Sequence, residues 1–235
     1  MKFNFFVVAI NIIKGGEAQS IKFAKIRIGL GWDPVISNPE ETFDLDVSAF
    51  MLNSTKKIQS DDYLVFYGSE LRVDPSNLSK IEPQDSIKYP PFYEGIRLID
   101  SKEHHRRATR PVDPDFSVWG SIDDMEGDES DGGDDETMNI DLRKLNSAIQ
   151  EIVIGVSIYD FAKWNQNFGK VNDCYVSIYN ETTQKEEFRY DLQGDFSSNT
   201  AVEFCSIYME GGFWKIKALG FGHDNGLESL LSVYN

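Results

Sequence analysis

Apolar and polar residues change places at every second position through much of this chain, the period of a strand with one face buried. In "DLDVSAFML", Leu45, Val47 and Ala49 fall on one face while Asp44 and Asp46 fall on the other. Runs rich in β-branched and aromatic residues, bounded by Gly, Pro, Asn and Asp, predict strands over 5–13, 21–28, 45–52 and 63–67. The pattern resumes at 137–142, 151–159, 173–179, 188–192, 201–208 and 213–220. Helical periodicity is sparse: two turns over 142–150, one over 161–165 and a short C-terminal helix over 227–233. This many short strands with turn signals between them predicts an all-β fold, a two-sheet β-sandwich with a few short helices.

Two segments break the rhythm. The first, about 71–114, carries most of the prolines and a basic island, "KEHHRRATR", at 102–110. A connection of that length with its own aromatics reads as a long inserted loop: a lid, a partner-binding loop or an excursion packed on the domain. The second is acidic, at 121–136; from Asp123 to Glu136 nine of fourteen residues are Asp or Glu, with no Lys or Arg. Two carboxylates about 4 Å apart repel by roughly 1 kcal/mol even in water. Either the run is splayed into solvent or a cation holds it together. No internal repeat is evident, and the chain reads as a single domain over 1–235.

Composition narrows the field. At 235 residues and 40% hydrophobic, the chain can bury a large core, which excludes a disordered protein. A net charge of −16 argues against direct nucleic-acid binding, since phosphate repels such a surface, and favours cations or basic partners. The apolar start "MKFNFFVVAINIIKG" is interrupted by Asn11 and ended by Lys14 without a cleavage pattern, so it reads as a strand and not a secretory signal. Cys174 and Cys205 each lie in an apolar run, as buried thiols in a reducing compartment would; a disulfide between them stays open. The expected location is the cytoplasm.

The candidate chemistry is carboxylate chemistry. Asp44 and Asp46 converge at one strand end, after a loop that offers Asp33, Glu40 and Glu41. Hard cations take six to eight oxygens, and a Gly/Asp-rich loop supplies several. The acidic run does not fit an EF-hand: with Asp124 first, the required Gly position holds Glu129. Walker, GxSxG, HExxH and CxxC signatures are missing. The adjacent His104 and His105 read as solvated surface and His223 as a turn.

In order, "KGGEAQSIKFAKIRIGLGWD", "FDLDVSAFML", "SDDYLVFY", "GGDDETMNIDL", "NQNFGKVNDCYVSIYN", "RYDLQGDFSSNTAVEFCSIY" and "WKIKALGFGHDNGLESL" resemble the TerD family of tellurium-resistance and stress-response proteins. The resemblance implies a two-sheet sandwich that binds calcium, two ions, through acidic loops, acts in a stress-response complex with other proteins and has no established enzymatic activity. Carried over block by block, it places Asp44 and Asp46 in the DLD block. It places Asp134, Asp135 and Glu136 in the GDDE block, Asp123 and Asp124 in the GDN block and Asp33 in GLGWD. The chain departs from the family where "IDDMEGDESDGGDDE" stands for "GDNxTGxGxGDDE", with Ile122 for the Gly.

Two other readings compete. Carboxylates around two metals could hydrolyse a phosphoester, though no His, Lys or Arg stands beside them in the sequence. A calcium-dependent docking module for anionic membranes would need apolar side chains such as Trp32 or Trp119 to insert in the interface.

Overall fold

The structure is a computed structural model that describes residues 17–34, 41–73, 87–88, 109–124 and 133–235. The strand expected over 5–13, the histidines 104 and 105 with most of the basic island, and acids 126–131 lie outside the described residues. Strands β1 (Gln19–Ser20), β2 (Lys25–Pro34), β3 (Leu45–Leu52) and β4 (Leu64–Val65) come first. Then follow β5 (Leu71–Val73), β6 (Ile87–Lys88), β7 (Arg110–Pro111), β8 (Val118–Gly120) and β9 (Glu136–Asp141). Strands β10 (Glu151–Ile158), β11 (Val171–Asn180), β12 (Lys185–Asp191), β13 (Ala201–Glu210) and β14 (Phe213–His223) complete the set. The helices are α1 (Phe161–Trp164), α2 (Leu192–Asp195) and α3 (Gly226–Tyr234). They form a six-stranded sheet, β1-β14-β13-β10-β3-β4, and a five-stranded sheet, β12-β11-β2-β9-β8. The expected all-β two-sheet sandwich is what forms, and a third, small sheet, β6-β5-β7, is added to it.

Alternation along β2 shows why the sheets face each other. Ile26, Ile28, Leu30 and Trp32 point into the shared core, and Arg27, Gly29, Gly31 and Asp33 take the outer face. On β3, Leu45, Val47, Ala49 and Met51 meet them from the other sheet. The opposite face of β3 is also buried: Phe50 and Leu52 lie in a second apolar cluster with Leu230 and Tyr234 of α3. Strand β3 is therefore covered on both sides, which explains its continuous burial from Leu45 to Leu52.

The insertion begins and ends on neighbouring strands. Arg72 of β5 pairs with Pro111 of β7, so the chain leaves and re-enters the sandwich at one point. Arg72 is only 1% exposed, and its guanidinium donates to the Tyr67 and Thr109 carbonyl oxygens at 2.7 and 2.8 Å and to Thr109 Oγ1 at 2.9 Å. Just after β7, buried Asp113 accepts from the amides of Asp115, Ser117 and Val118 and from the Ser117 hydroxyl. This fixes the turn in which Phe116 adopts φ 51°. Asp113→Ala leaves several buried donors unsatisfied and is expected to cost about 3 kcal/mol, read as a lower urea midpoint.

Two elements differ from the pattern. The residues 142–150 form two turns, not a helix. Asp141 accepts the Arg143 amide and Asn146 accepts the Ala148 amide, so side chains capture the donors that a helix would need. His223 ends β14, not a turn, and faces buried Glu203 at 2.8 Å.

Candidate metal centre

The acidic residues gather where β2 and β3 meet the start of β9. Asp44 stands just before β3, Asp46 is its second residue, and Asp123 follows β8. One carboxylate oxygen from each of these three lies within 4.8 Å of the others, with Asp44 and Asp46 buried. Oxygens bound to one calcium ion lie about 2.3–2.6 Å from it, so they are at most about 5 Å apart. The set fits a hard cation by spacing and by its all-oxygen chemistry. Burying carboxylates side by side costs several kcal/mol per ion unless an opposite charge compensates.

The loop reaches this position through backbone pairing. The β8–β9 ladder is extended by hydrogen bonds from the Ser121 amide to the Thr137 carbonyl and from the Thr137 amide to Ser121 Oγ. These hold Asp123 and Asp124 beside the first residues of β9. Strand β4 covers β3 only at Ala49 and Phe50, so it leaves the Val47 amide to another acceptor. Glu136 supplies it, accepting at 2.9 Å from the opposite sheet. Burial first, then the charges of Asp123, Asp44 and Asp124, raise the Glu136 pKa well above the usual carboxylate value.

The three acids of "DDE" point in different directions. Asp135 Oδ2 accepts from the Trp32 amide at 2.8 Å. Its pKa is pushed up to about 6 by burial and by the nearby charges of Asp124, Asp33 and Asp134, against the pull of that amide. Asp33, Asp124 and Asp135 thus form a second group of neighbouring acids beside the first. Asp134 lies on the outer face of the five-stranded sheet, paired with Arg27 and accepting from the Tyr175 hydroxyl at 3.0 Å. Its carboxylate fills the space above Gly29, where a Cβ would stand 2.2 Å from Asp134 Oδ2. The structure thus joins Asp44, Asp46 and Asp123, places Glu136, Asp124, Asp135 and Asp33 next to them, and commits Asp134 to Arg27.

Several residues that shape the site carry no signal in the sequence. Arg27 also packs over the Tyr179 ring at 4.0 Å, and Arg189 over Tyr175 at 3.6 Å. Arg72 shares with Asp123 and Glu136 the lining of a small cavity of about 10 Å³. A lone Arg within "ELRVD" looks like any exposed strand residue, and only the tertiary path puts it behind the acids. Trp32 and Trp119 both pack against the protein itself. Trp32 is 3% exposed and donates from Nε1 to the Phe43 carbonyl oxygen at 3.0 Å, while Trp119 packs on the cluster of Leu71, Val73, Val112 and Phe116. No helix among the described residues is long and apolar enough to cross a bilayer. Cys174 and Cys205 are both buried free thiols.

Fold and site together define a class: an antiparallel β-sandwich with carboxylates from several strand ends collected at one pole. The chain belongs to the TerD family, whose TerD domain it matches over residues 8–80 and 110–234. It is 33% identical over 231 residues to the uncharacterized protein YceE of Bacillus subtilis, covering 97% of this chain and 98% of that protein. It is 31% identical over 231 residues to the tellurium resistance protein TerD of Serratia marcescens, covering 97% of each chain. General stress protein 16U of Bacillus subtilis is 28% identical over 231 residues, again covering 97% of each. A crystal structure of a Streptomyces coelicolor homologue of telluride resistance protein TerD superposes with a TM-score of 0.53 at 16% identity, covering 89% of this chain and 95% of that one. The family match leaves out 81–109, the middle of the insertion.

Proposed function

We propose that this protein is a non-enzymatic calcium-binding module of a cytoplasmic stress response, in which a bound ion sets the shape of the acidic pole for another protein. The observation that carries the reading is the convergence of Asp44, Asp46 and Asp123 within 4.8 Å, two of them buried. The residues that would hold the ion are these three, with Glu136 alongside. The second ion that the resemblance implies would draw on Asp33, Asp124 and Asp135, whose charges act on one another but whose oxygens are not gathered within that spacing. When bound, calcium supplies positive charge and a ligand geometry tolerant of irregular oxygens; it does no redox chemistry. The chain's own part is to bring β3, β8 and β9 to one point and to hold them there through the Val47–Glu136 hydrogen bond.

Calorimetric titration of chelator-stripped protein tests this. Saturable calcium binding, with magnesium weaker by about tenfold or more, is the expected result, because magnesium demands a tighter octahedron. No heat up to millimolar calcium overturns it. The pH dependence has a defined sign. Asp135 and Glu136 both have folded-state pKa values above the ordinary carboxylate value, so their contribution to stability is present below about pH 4 and is lost as pH rises, for Asp135 through about 6. The metal-free protein is therefore expected to melt at a higher temperature at pH 5 than at pH 7.5. Calcium affinity is expected to fall over the same acid interval as protons compete for the oxygens.

A further inference from the structure

Arg72 is a buried cation at the back of the acidic pole. It is 1% exposed and lines, with Asp123 and Glu136, a cavity of about 10 Å³, too small for bulk solvent to screen their charges. A guanidinium stays charged at any physiological pH, so burying it is costly unless hydrogen bonds and negative charge offset the lost hydration. The Tyr67 and Thr109 carbonyl oxygens and the Thr109 hydroxyl satisfy donors of the fork, but these three acceptors are neutral. Of the two acids on the cavity wall, Glu136 accepts the Val47 amide, and Asp123 belongs to the group with Asp44 and Asp46. The fold ties Arg72 and Asp123 to one run of chain. Arg72 of β5 pairs with Pro111 of β7, and Val112 bridges to Trp119 of β8, the strand that leads to Asp123. A Cβ at Gly120 would stand 2.8 Å from Pro111 Cγ, so the glycine lets β7 press against β8. Thr109, which holds the guanidinium at two atoms, falls in the 81–109 stretch outside the family match.

We propose that Arg72 is a resident counter-charge that steadies Asp123 while the ion is absent and competes with calcium for it, so that the base of the insertion sets calcium affinity. This deepens the calcium reading and rests on it. A fixed positive charge beside the pole repels an incoming cation and offsets part of the repulsion among the acids. It therefore lowers calcium affinity and raises the stability of the metal-free chain together. A purely structural arginine would act otherwise: its loss would loosen the pole, and affinity would fall with stability.

The test uses the full chain, titrated calorimetrically with calcium and melted in chelator. Arg72→Met keeps an apolar stem and removes the charge; calcium binding is expected to tighten about tenfold, while melting in chelator falls by about 10 °C. Arg72→Gln, neutral but still a donor, is expected to tighten calcium binding in the same way, which keeps the test open should the Met variant not fold. Arg72→Lys keeps the charge without the fork, so calcium affinity is expected to stay within about twofold of wild type although the chain melts lower. In chelator, Asp123→Asn is expected to raise the melting temperature of the Arg72→Met chain by about 5 °C more than that of wild type, because no buried cation then loses its counter-charge. Calcium affinity that is unchanged or weaker in both neutral variants overturns the proposal and leaves the calcium reading intact. So does a strictly additive effect of Asp123→Asn in chelator. A wild-type chain that binds no calcium overturns the calcium reading and the competition with it, and the coupling in chelator still shows whether Arg72 and Asp123 compensate each other.

Discussion

Replacing Asp44 and Asp46 together by asparagine is expected to abolish the calcium response and, at the same time, to stabilise the metal-free protein. The two effects have one cause. Asp44 and Asp46 are buried with oxygens within 4.8 Å of each other and of Asp123. At that spacing two full charges repel by roughly 3 kcal/mol at an effective dielectric constant near 20. Asparagine keeps the shape and an acceptor oxygen but removes the charge, so the repulsion disappears while the ladder from β3 to β10 stays. The amide oxygens are poorer ligands than carboxylates, and calcium affinity is expected to fall by about a hundredfold or more. In thermal melts the wild type is expected to gain about 2.7 kcal/mol from calcium at a free concentration one hundred times Kd. The variant starts higher in chelator and gains nothing. A variant that melts lower in chelator yet keeps the calcium shift would show that these carboxylates are structural and that the ion sits elsewhere.

The second large effect is expected at Gly29, which the ion would not touch. A Cβ there would lie 2.2 Å from Asp134 Oδ2 and 2.3 Å from Asp134 Cγ. Asp134 has no easy retreat, because Arg27 and the Tyr175 hydroxyl hold it from either side. Gly29→Ala therefore either breaks that ion pair or bows β2 away from β9, at a cost of about 3 kcal/mol. For a chain of this size that lowers the melting temperature by on the order of 10 °C. The double variant Gly29→Ala plus Asp134→Ala removes the colliding atoms and is expected to recover part of the loss, less the ion pair itself. Strict additivity of the two single changes would overturn this account of the glycine. Asp134→Asn alone should weaken the fold while leaving the group of Asp44, Asp46 and Asp123 intact, the opposite pattern to Asp44→Asn plus Asp46→Asn.

The resemblance named the acids of the GDDE block as one group of ligands, whereas the structure divides them. Residues two apart on a regular strand share a face, but β9 begins only at Glu136 and the chain just before it breaks that alternation: Asp134 lies on the outer face against Arg27, Glu136 on the inter-sheet side, and Asp135 between them against the Trp32 amide. Composition records that the acids are clustered; the path of the chain into β9 decides which of them converge. The same holds for Arg72, a charged residue in a short apolar run that becomes 1% exposed because two ends of a long insertion close around it.

Local pattern alone determined much of this protein. The alternation in "LDVSAFML" places β3 at Leu45–Leu52, and the β-rich runs with turn residues between them specify antiparallel strands and hence a sandwich. The "DLD" block likewise puts two carboxylates at one strand end, since period-2 geometry is a property of the backbone itself. Tertiary structure decided the rest: the third small sheet at the base of the insertion, the pairing of Asp134 with Arg27, and the arrival of Asp123 beside Asp44 and Asp46. Each depends on contacts between residues distant along the chain, whose energies are set by distance and burial in the folded state and leave no mark on the local sequence pattern.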